Sequence, residues 1–215
     1  MGIMMNIADL LFHPAVFFSG RLEGDKPGLK MPIAIVLLYG IVGAVSAVYV
    51  SSVTMAMMPS EIASMGTILL GIGAVVAFIG ALLIWFIVAA VFHGVSALRG
   101  GKGDFQRTLA VAGYGSLPMV FGTIISSIIV YFYLSGITVS PVSDPMQINV
   151  VLTELMSSPS MVMAGIIPLV FVIWSANIWV FGMQEARGLS TKDALITVGI
   201  PVLIYCLITL FSQIG

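Results

Sequence analysis

Five long apolar runs constrain the fold of this chain more than any other feature of its sequence. A helix needs about 20 apolar residues to cross the hydrocarbon core of a bilayer. The runs that meet this length cover residues 31–58, 66–95, 108–134, 161–183 and 192–212. They are continuous rather than alternating, so each is predicted to be a helix that satisfies its own backbone hydrogen bonds in lipid. The sequence therefore predicts an all-α membrane protein with five transmembrane helices.

All the Lys and Arg residues fall on one side of this five-span arrangement. They precede the first run or lie in the loops between runs two and three and between runs four and five. These residues are Arg21, Lys26, Lys30, Arg99, Lys102, Arg107, Arg187 and Lys192. The other two loops, 59–65 and 135–160, hold acidic residues but no basic one. Because short cytoplasmic loops accumulate Lys and Arg, we expect the N-terminus to lie inside and the C-terminus outside.

The composition excludes several classes of function. Only 8% of the residues are charged and the net charge is −1, so nothing suggests a nucleic-acid partner. The first twelve residues have no basic residue ahead of their apolar stretch, so we expect no cleavable signal peptide. The segments between the runs are too short to form a soluble domain. We therefore expect the function to be exerted in or at the lipid bilayer.

The first 30 residues are predicted to form an interfacial helix and a linker, followed by a five-span domain over residues 31–215. Along residues 3–20, apolar residues occupy one side of the predicted helix and a polar stripe occupies another. This pattern is typical of a helix lying on a membrane surface. Asn6, Asp9 and His13 form that stripe. Pro14 disfavours helical geometry at the preceding residue, so we expect a break at His13.

Local sequence signals predict further helix ends and bends. Asp104 and Ser190 are suited to cap the helices that follow them, and Asp193 completes a capping box with Ser190. Asp144 followed by proline, with an apolar face after it, predicts a short helix in the outer loop 135–160. Prolines inside the spans predict kinks at Pro118, Pro168 and Pro201.

A set of polar side chains lies near the predicted inner ends of the spans or on the N-terminal helix. Its members are Asp9, His13, His93, Tyr114, Ser116, Asn177, Gln184 and Glu185. Polar side chains inside membranes usually face the bundle, so these residues could line a cavity that opens to the cytosol. The alternative is a group of scattered interhelical hydrogen bonds and interfacial side chains. We expect no comparable polar set in the outer halves of the spans.

No catalytic motif, metal site or cofactor site is evident. Asp9 and His13 are spaced i, i+4, so they could pair with each other or supply two metal ligands, with His93 and Glu185 as the only plausible additions. Two ligands do not define a site, and we expect no bound cofactor. The basic residues of the inner loops are candidates for contact with a partner; they are Arg99, Lys102, Arg107, Arg187 and Lys192.

Several short motifs resemble the Yip family, the Rab-GTPase-interacting membrane proteins, and its prokaryotic relatives. The first is Leu10-Leu11-Phe12-His13-Pro14 followed by Phe17-Phe18. The second is Phe92-His93-Gly94 before the inner loop, and the third, within residues 109–118, is similar to the family's Gly-Tyr-x-x-x-Pro segment. Eukaryotic members carry a long cytosolic N-terminal region, whereas only about 30 residues precede the first span here. The resemblance therefore implies a prokaryotic-type member in the cell membrane.

The resemblance implies a non-enzymatic membrane protein that recruits or organises other components. We accordingly predict a scaffold that binds protein partners at the cytoplasmic face, in membrane organisation or in the assembly or trafficking of other membrane components. Small residues at four-residue spacing in the spans also permit a homo-oligomer. The alternative function is a small-solute transporter or channel subunit that uses the cytosol-facing polar set and the proline kinks.

Overall fold

The computed structural model describes residues 7–22, 27–59, 65–138 and 145–214, and every regular element in those ranges is an α-helix. The helices are α1 (Ile7–Phe12), α2 (Pro14–Arg21), α3 (Lys30–Ala56), α4 (Gly66–Leu98), α5 (Phe105–Gly115), α6 (Leu117–Ser135), α7 (Pro145–Met156), α8 (Pro159–Arg187) and α9 (Thr191–Ile214). Five helical segments in these ranges are long and apolar enough to cross a membrane, with α5 and α6 together forming the third. The predicted five-span, all-α fold is confirmed.

The third span is interrupted at Ser116, two residues before Pro118. Proline has no N–H to donate to the carbonyl one turn earlier, and its ring clashes with that carbonyl. The helix is accordingly broken by a turn between α5 and α6. The Ser116 N–H bonds to Gly113 instead of Ala112. The freed Ala112 carbonyl accepts from the Ser116 hydroxyl at 2.9 Å and from the Trp179 indole N–H at 3.1 Å. The predicted kink is therefore a break that helps to join the third span to the fourth.

The two other span prolines lie within continuous helices. Pro168 cannot donate to the Ala164 carbonyl, and Ser126 of α6 donates to that carbonyl at 2.7 Å. A hydroxyl on a neighbouring helix thus satisfies the group that proline leaves free, as expected where lipid offers no alternative partner. Helix α9 also continues through Pro201 without a break.

The N-terminal segment forms two short helices with a break at His13, as Pro14 predicts. Its apolar side packs into the bundle: Phe18 is fully buried and belongs to the main core together with Leu10 and Phe17. Gly182 makes room for it, since a Cβ there would lie 3.0 Å from the Phe18 ring. The side chains of Ile7, Phe12 and Val16 remain exposed. The bundle therefore covers one apolar face of this segment and leaves these other apolar side chains exposed.

The caps predicted at Asp104 and Ser190 are present, and so is the helix predicted within residues 135–160. Asp104 accepts from the Arg107 N–H at 2.9 Å, and Ser190 accepts from the Asp193 N–H at 3.1 Å. Helix α7 occupies the loop between the third and fourth spans and buries Ile148. The predicted cap Asp144, the loop residue Glu61 and the basic residue Lys26 lie outside the described ranges.

Candidate functional site

The two basic loops, residues 99–104 and 187–192, lie against each other at one end of the bundle, here called the basic end. Arg187 closes α8 and is only 3% exposed. Its Nε donates to the Ser96 hydroxyl at 2.9 Å, its Nη2 donates to the Gly101 carbonyl at 3.1 Å, and its Nη1 donates to the Gly103 carbonyl. The planar guanidinium fork suits several acceptors at fixed angles. One side chain therefore fixes the whole 99–104 loop to the end of the fourth span.

Glycine allows this loop to approach so closely. Gly100 and Gly103 have φ values of 80° and 103°, a region that side-chain-bearing residues rarely adopt. A Cβ on Gly101 would lie 2.8 Å from the Ser96 carbonyl oxygen, and one on Gly103 would lie 2.7 Å from the Ala186 carbonyl oxygen. The loop also donates its Lys102 N–H to the Arg187 carbonyl at 2.8 Å. The glycines of this loop thus permit a tight backbone contact between the loop and the end of α8.

An ion pair makes a second connection between the basic loops. Arg99 Nη2 lies 2.6 Å from Asp193 Oδ1, and Arg99 Nε donates to the same oxygen at 2.9 Å. Asp193 also accepts from the Ser190 hydroxyl at 2.7 Å within the capping box. Each loop therefore contributes one arginine that binds the other loop.

Four of the five predicted loop residues fall into two pairs, and Arg107 stands apart from them. Arg99 and Arg187 bind the opposite loop, whereas Lys102 and Lys192 have exposed side chains. Arg107 is partly buried at the start of α5. The basic end is therefore a connected surface that keeps Lys102 and Lys192 facing outward.

Tyr114 joins the N-terminal helices to the third span. It is buried, and its hydroxyl accepts from Arg21 Nε at 3.0 Å. Its ring contacts both phenylalanines edge-on, and its centroid lies 5.0 Å from that of Phe17 and 6.0 Å from that of Phe18. A further bond runs from the Trp174 indole N–H to the Leu11 carbonyl at 3.1 Å. The short opening motif thus docks through specific contacts on α5 and α8.

Two other members of the polar set have bonds within the bundle. Ser116 is buried and donates to Ala112, as described above, and it lines a small cavity of about 40 Å³. His93 Nδ1 lies 3.1 Å from the Thr108 hydroxyl, and its ring meets Phe105 edge-on. The His93 contacts tie the second span to the third, whereas the Ser116 bond lies within the third span. The predicted cavity open to the cytosol stays a prediction.

The remaining polar residues are dispersed. Asn177 and Glu185 are exposed on α8, while the Gln184 side-chain nitrogen is buried without a hydrogen-bond partner among the described residues. His13 Nδ1 lies 3.9 Å from Asp9 Oδ1 on the N-terminal helices. Within the described part of the chain, no three His, Cys, Asp or Glu side chains gather as a metal site would require.

A hydroxyl cluster that the sequence analysis missed lies in the other half of the bundle. The hydroxyls of Ser46 on α3 and Ser127 on α6 hydrogen bond to each other, and the Tyr49 hydroxyl donates to the Tyr131 carbonyl at 3.3 Å. The expectation that the outer halves hold no comparable polar set is therefore wrong. The adjacent serines 126 and 127 were the one sequence signal for this cluster. Serine hydroxyls also bond to carbonyls of their own helix, so their presence alone does not indicate a contact between helices.

Comparisons with known proteins agree with this architecture. The model of the Yip1 domain family matches residues 8–212, which includes both N-terminal helices and nearly the whole five-span bundle. The chain is 33% identical over 130 residues to an uncharacterized protein of Methanocaldococcus jannaschii. That alignment covers 60% of this chain and 92% of the relative. No solved structure matches the chain.

Proposed function

The chain belongs to the Yip1 domain family, and from that premise we propose that it is a non-enzymatic membrane scaffold whose basic end binds a protein partner. The chain is a multi-pass integral membrane protein by its apolar spans and its family. In the proposal, the basic end faces the cytoplasm of a prokaryotic cell. The bound partner would be another membrane component, or a protein that acts on one.

The observation that carries this proposal is the connection of the two basic loops through Arg187. A loop held by two hydrogen bonds from the Arg187 side chain and by one backbone bond loses little conformational freedom when a partner binds. Preorganisation of this kind lowers the entropic cost of association. The exposed charges of Lys102 and Lys192 favour a partner with an acidic surface, since complementary charge speeds encounter and sets specificity. A fixed surface with exposed cations therefore suits docking.

The contacts of the polar set favour a scaffold over the transporter that the sequence left as an alternative. A solute pathway needs polar groups that are free to exchange partners with the solute. The hydroxyls of Tyr114 and Ser116 bond within the protein, and so does His93. The Tyr114 and His93 bonds hold α2, α4 and α5 together, and the Ser116 bond lies within the third span.

Site-specific photo-crosslinking in cells tests the proposal. A photoreactive residue replaces Glu185, which is exposed beside the basic end. The matched control carries the same residue at the exposed Asn149 on α7. We expect a discrete protein adduct from position 185 that position 149 does not give. The double variant Lys102→Glu/Lys192→Glu should abolish the adduct, because it reverses the exposed charge without touching Arg187.

Two results would contradict the proposal. The first is the same set of adducts from both probe positions, which would indicate random collision in the membrane. The second is solute movement across vesicles reconstituted with the purified protein that is lost on Asn177→Leu, which would favour transport. Fusion of a reporter at residue 215 tests the orientation separately, since the proposal requires that end to lie outside the cytoplasm.

A further inference from the structure

An apolar space, enclosed on its inner side and open at the side of the bundle, lies where α3, α4, α6, α8 and α9 meet. Its volume is about 190 Å³, and its wall includes Val88, Val172, Trp179 and Val202. A smaller space of about 40 Å³ adjoins it and shares Trp179 in its wall. Protein interiors are close-packed with few voids larger than a water molecule. A space of this size therefore calls for an occupant.

The wall is unsuited to water. The Trp179 indole N–H, which is in the wall, already donates to the Ala112 carbonyl. Most other wall groups are aliphatic or aromatic carbon, including Phe92, whose ring lies edge-on to Trp179 at 5.3 Å. A buried water needs two to four polar partners, whereas apolar cavities of about 150 Å³ stay dry and take up apolar molecules. The occupant should therefore be hydrocarbon.

The space reaches the side of the bundle between α4 and α9. Ile84 and Ile87 on α4 line it and are 56% and 52% exposed, and Tyr205 on α9 lines it and is 47% exposed. The two helices that frame this opening are both membrane spans. Since the opening lies along the spans, the medium outside it is the hydrocarbon of the bilayer. Lipid chains are therefore the apolar material available to enter.

We propose that this space is a binding site for one acyl chain of a membrane phospholipid, which enters between α4 and α9. The proposal goes beyond the scaffold function and does not depend on it. Pro201 lies in the wall where α9 faces the opening. Because its ring leaves one helical bond unmade, α9 is most deformable at the height where the chain would enter.

Tryptophan quenching by brominated lipid tests this site, because bromine quenches only at close range. The protein Trp85→Phe/Trp174→Phe keeps Trp179, which lies in the wall and is only 5% exposed. It is reconstituted in phosphatidylcholine vesicles with brominated or unmodified acyl chains. We expect strong quenching in the brominated vesicles and loss of most of it on Val202→Phe, which fills the space. The matched control Leu203→Phe changes the neighbouring exposed residue and should leave the quenching intact.

The outcomes separate the possible occupants. Val88→Phe fills the space from α4 and should reduce the quenching as Val202→Phe does, so the result does not depend on one variant folding normally. Circular dichroism and gel filtration check that each variant is folded. Equal quenching in the filled and control variants would overturn the proposal, because the bromine would then act from outside. Quenching by brominated free fatty acid in detergent, with none in phospholipid vesicles, would also overturn it. Such a result would assign the space to a small soluble ligand.

Discussion

Removal of the Arg187 guanidinium tests how the basic end is held together. The variant Arg187→Met keeps an unbranched stem in the buried position but loses the donors to Ser96, Gly101 and Gly103. Hydrogen bonds from a charged group contribute about 1.5–3 kcal/mol each. The three share one side chain and are not additive, and water can reach the carbonyl of the exposed Gly103. We therefore expect a net loss of about 2–4 kcal/mol.

The sequence supplies a probe for this measurement, because Cys206 is its only cysteine and is partly buried on α9. A dye that fluoresces on reaction with the thiol reports thermal unfolding of the purified protein in detergent. On the scale of globular proteins of this size, the expected loss lowers the midpoint by about 4–16 °C. Arg187→Lys should fall between the wild type and Arg187→Met, since an ammonium keeps the charge but cannot reach three separated acceptors.

One result would refute this reasoning. If Arg187→Met unfolds within about 2 °C of the wild type, as a neutral surface substitution would, the buried arginine does not hold the loops. The variant Arg99→Gln is the matched comparison. It removes the exposed ion pair to Asp193 and should change the midpoint little, because solvent screens such pairs.

Two further substitutions test contacts between the spans. A Cβ on Gly115 would collide with the Trp179 ring, so Gly115→Ala should lower the free energy of unfolding by about 2 kcal/mol or more. The control Gly199→Ala should be nearly neutral in thermal unfolding, because no atom lies within 4 Å of the added Cβ. Equal effects of the two variants would contradict the Gly115–Trp179 contact. Ser126→Ala should cost about 1–3 kcal/mol, because it leaves unpaired the carbonyl that Pro168 cannot satisfy. Pro168→Ala restores the N–H, so the cost of Ser126→Ala should shrink in that background, and an undiminished cost would refute the compensation.

The spans and the breaks could be predicted because local signals decide them. A run of apolar residues long enough to cross the bilayer forms a helix wherever it packs. Pro14 and Pro118 interrupt helices through their own covalent structure. Asp104 and Ser190 bond to backbone groups three residues away. None of these outcomes required knowledge of which helices are neighbours.

The role of Arg187 could not be predicted in the same way. Arginines in the loops of membrane proteins usually face water, and the sequence grouped Arg187 with Lys102 and Lys192 as candidate contact residues. Its burial depends on a loop 84 residues away. The glycines of that loop indicate a turn but not the neighbour that the turn approaches. The short distances from Gly101 and Gly103 to neighbouring carbonyl oxygens show that this loop also packs closely against the helices beside it.

The N-terminal helices show a different limit. An amphipathic pattern indicates that one face avoids water, but it does not say whether lipid or protein covers that face. Phe17 and Phe18 pack on Tyr114 and Gly182, whereas Phe12 and Val16 remain exposed. The space that receives Phe18 depends on a glycine in a distant span, which the N-terminal sequence cannot reveal.

The central claim is that the two basic loops form one fixed surface in the unbound protein. Spin labels at Lys102→Cys and Lys192→Cys, in a Cys206→Ser background, allow pulsed electron paramagnetic resonance to measure the distance between the loops. We predict a single narrow distance distribution that broadens when Arg187→Met is added. A broad distribution in the protein that retains Arg187 would contradict the claim, because the loops would then move independently.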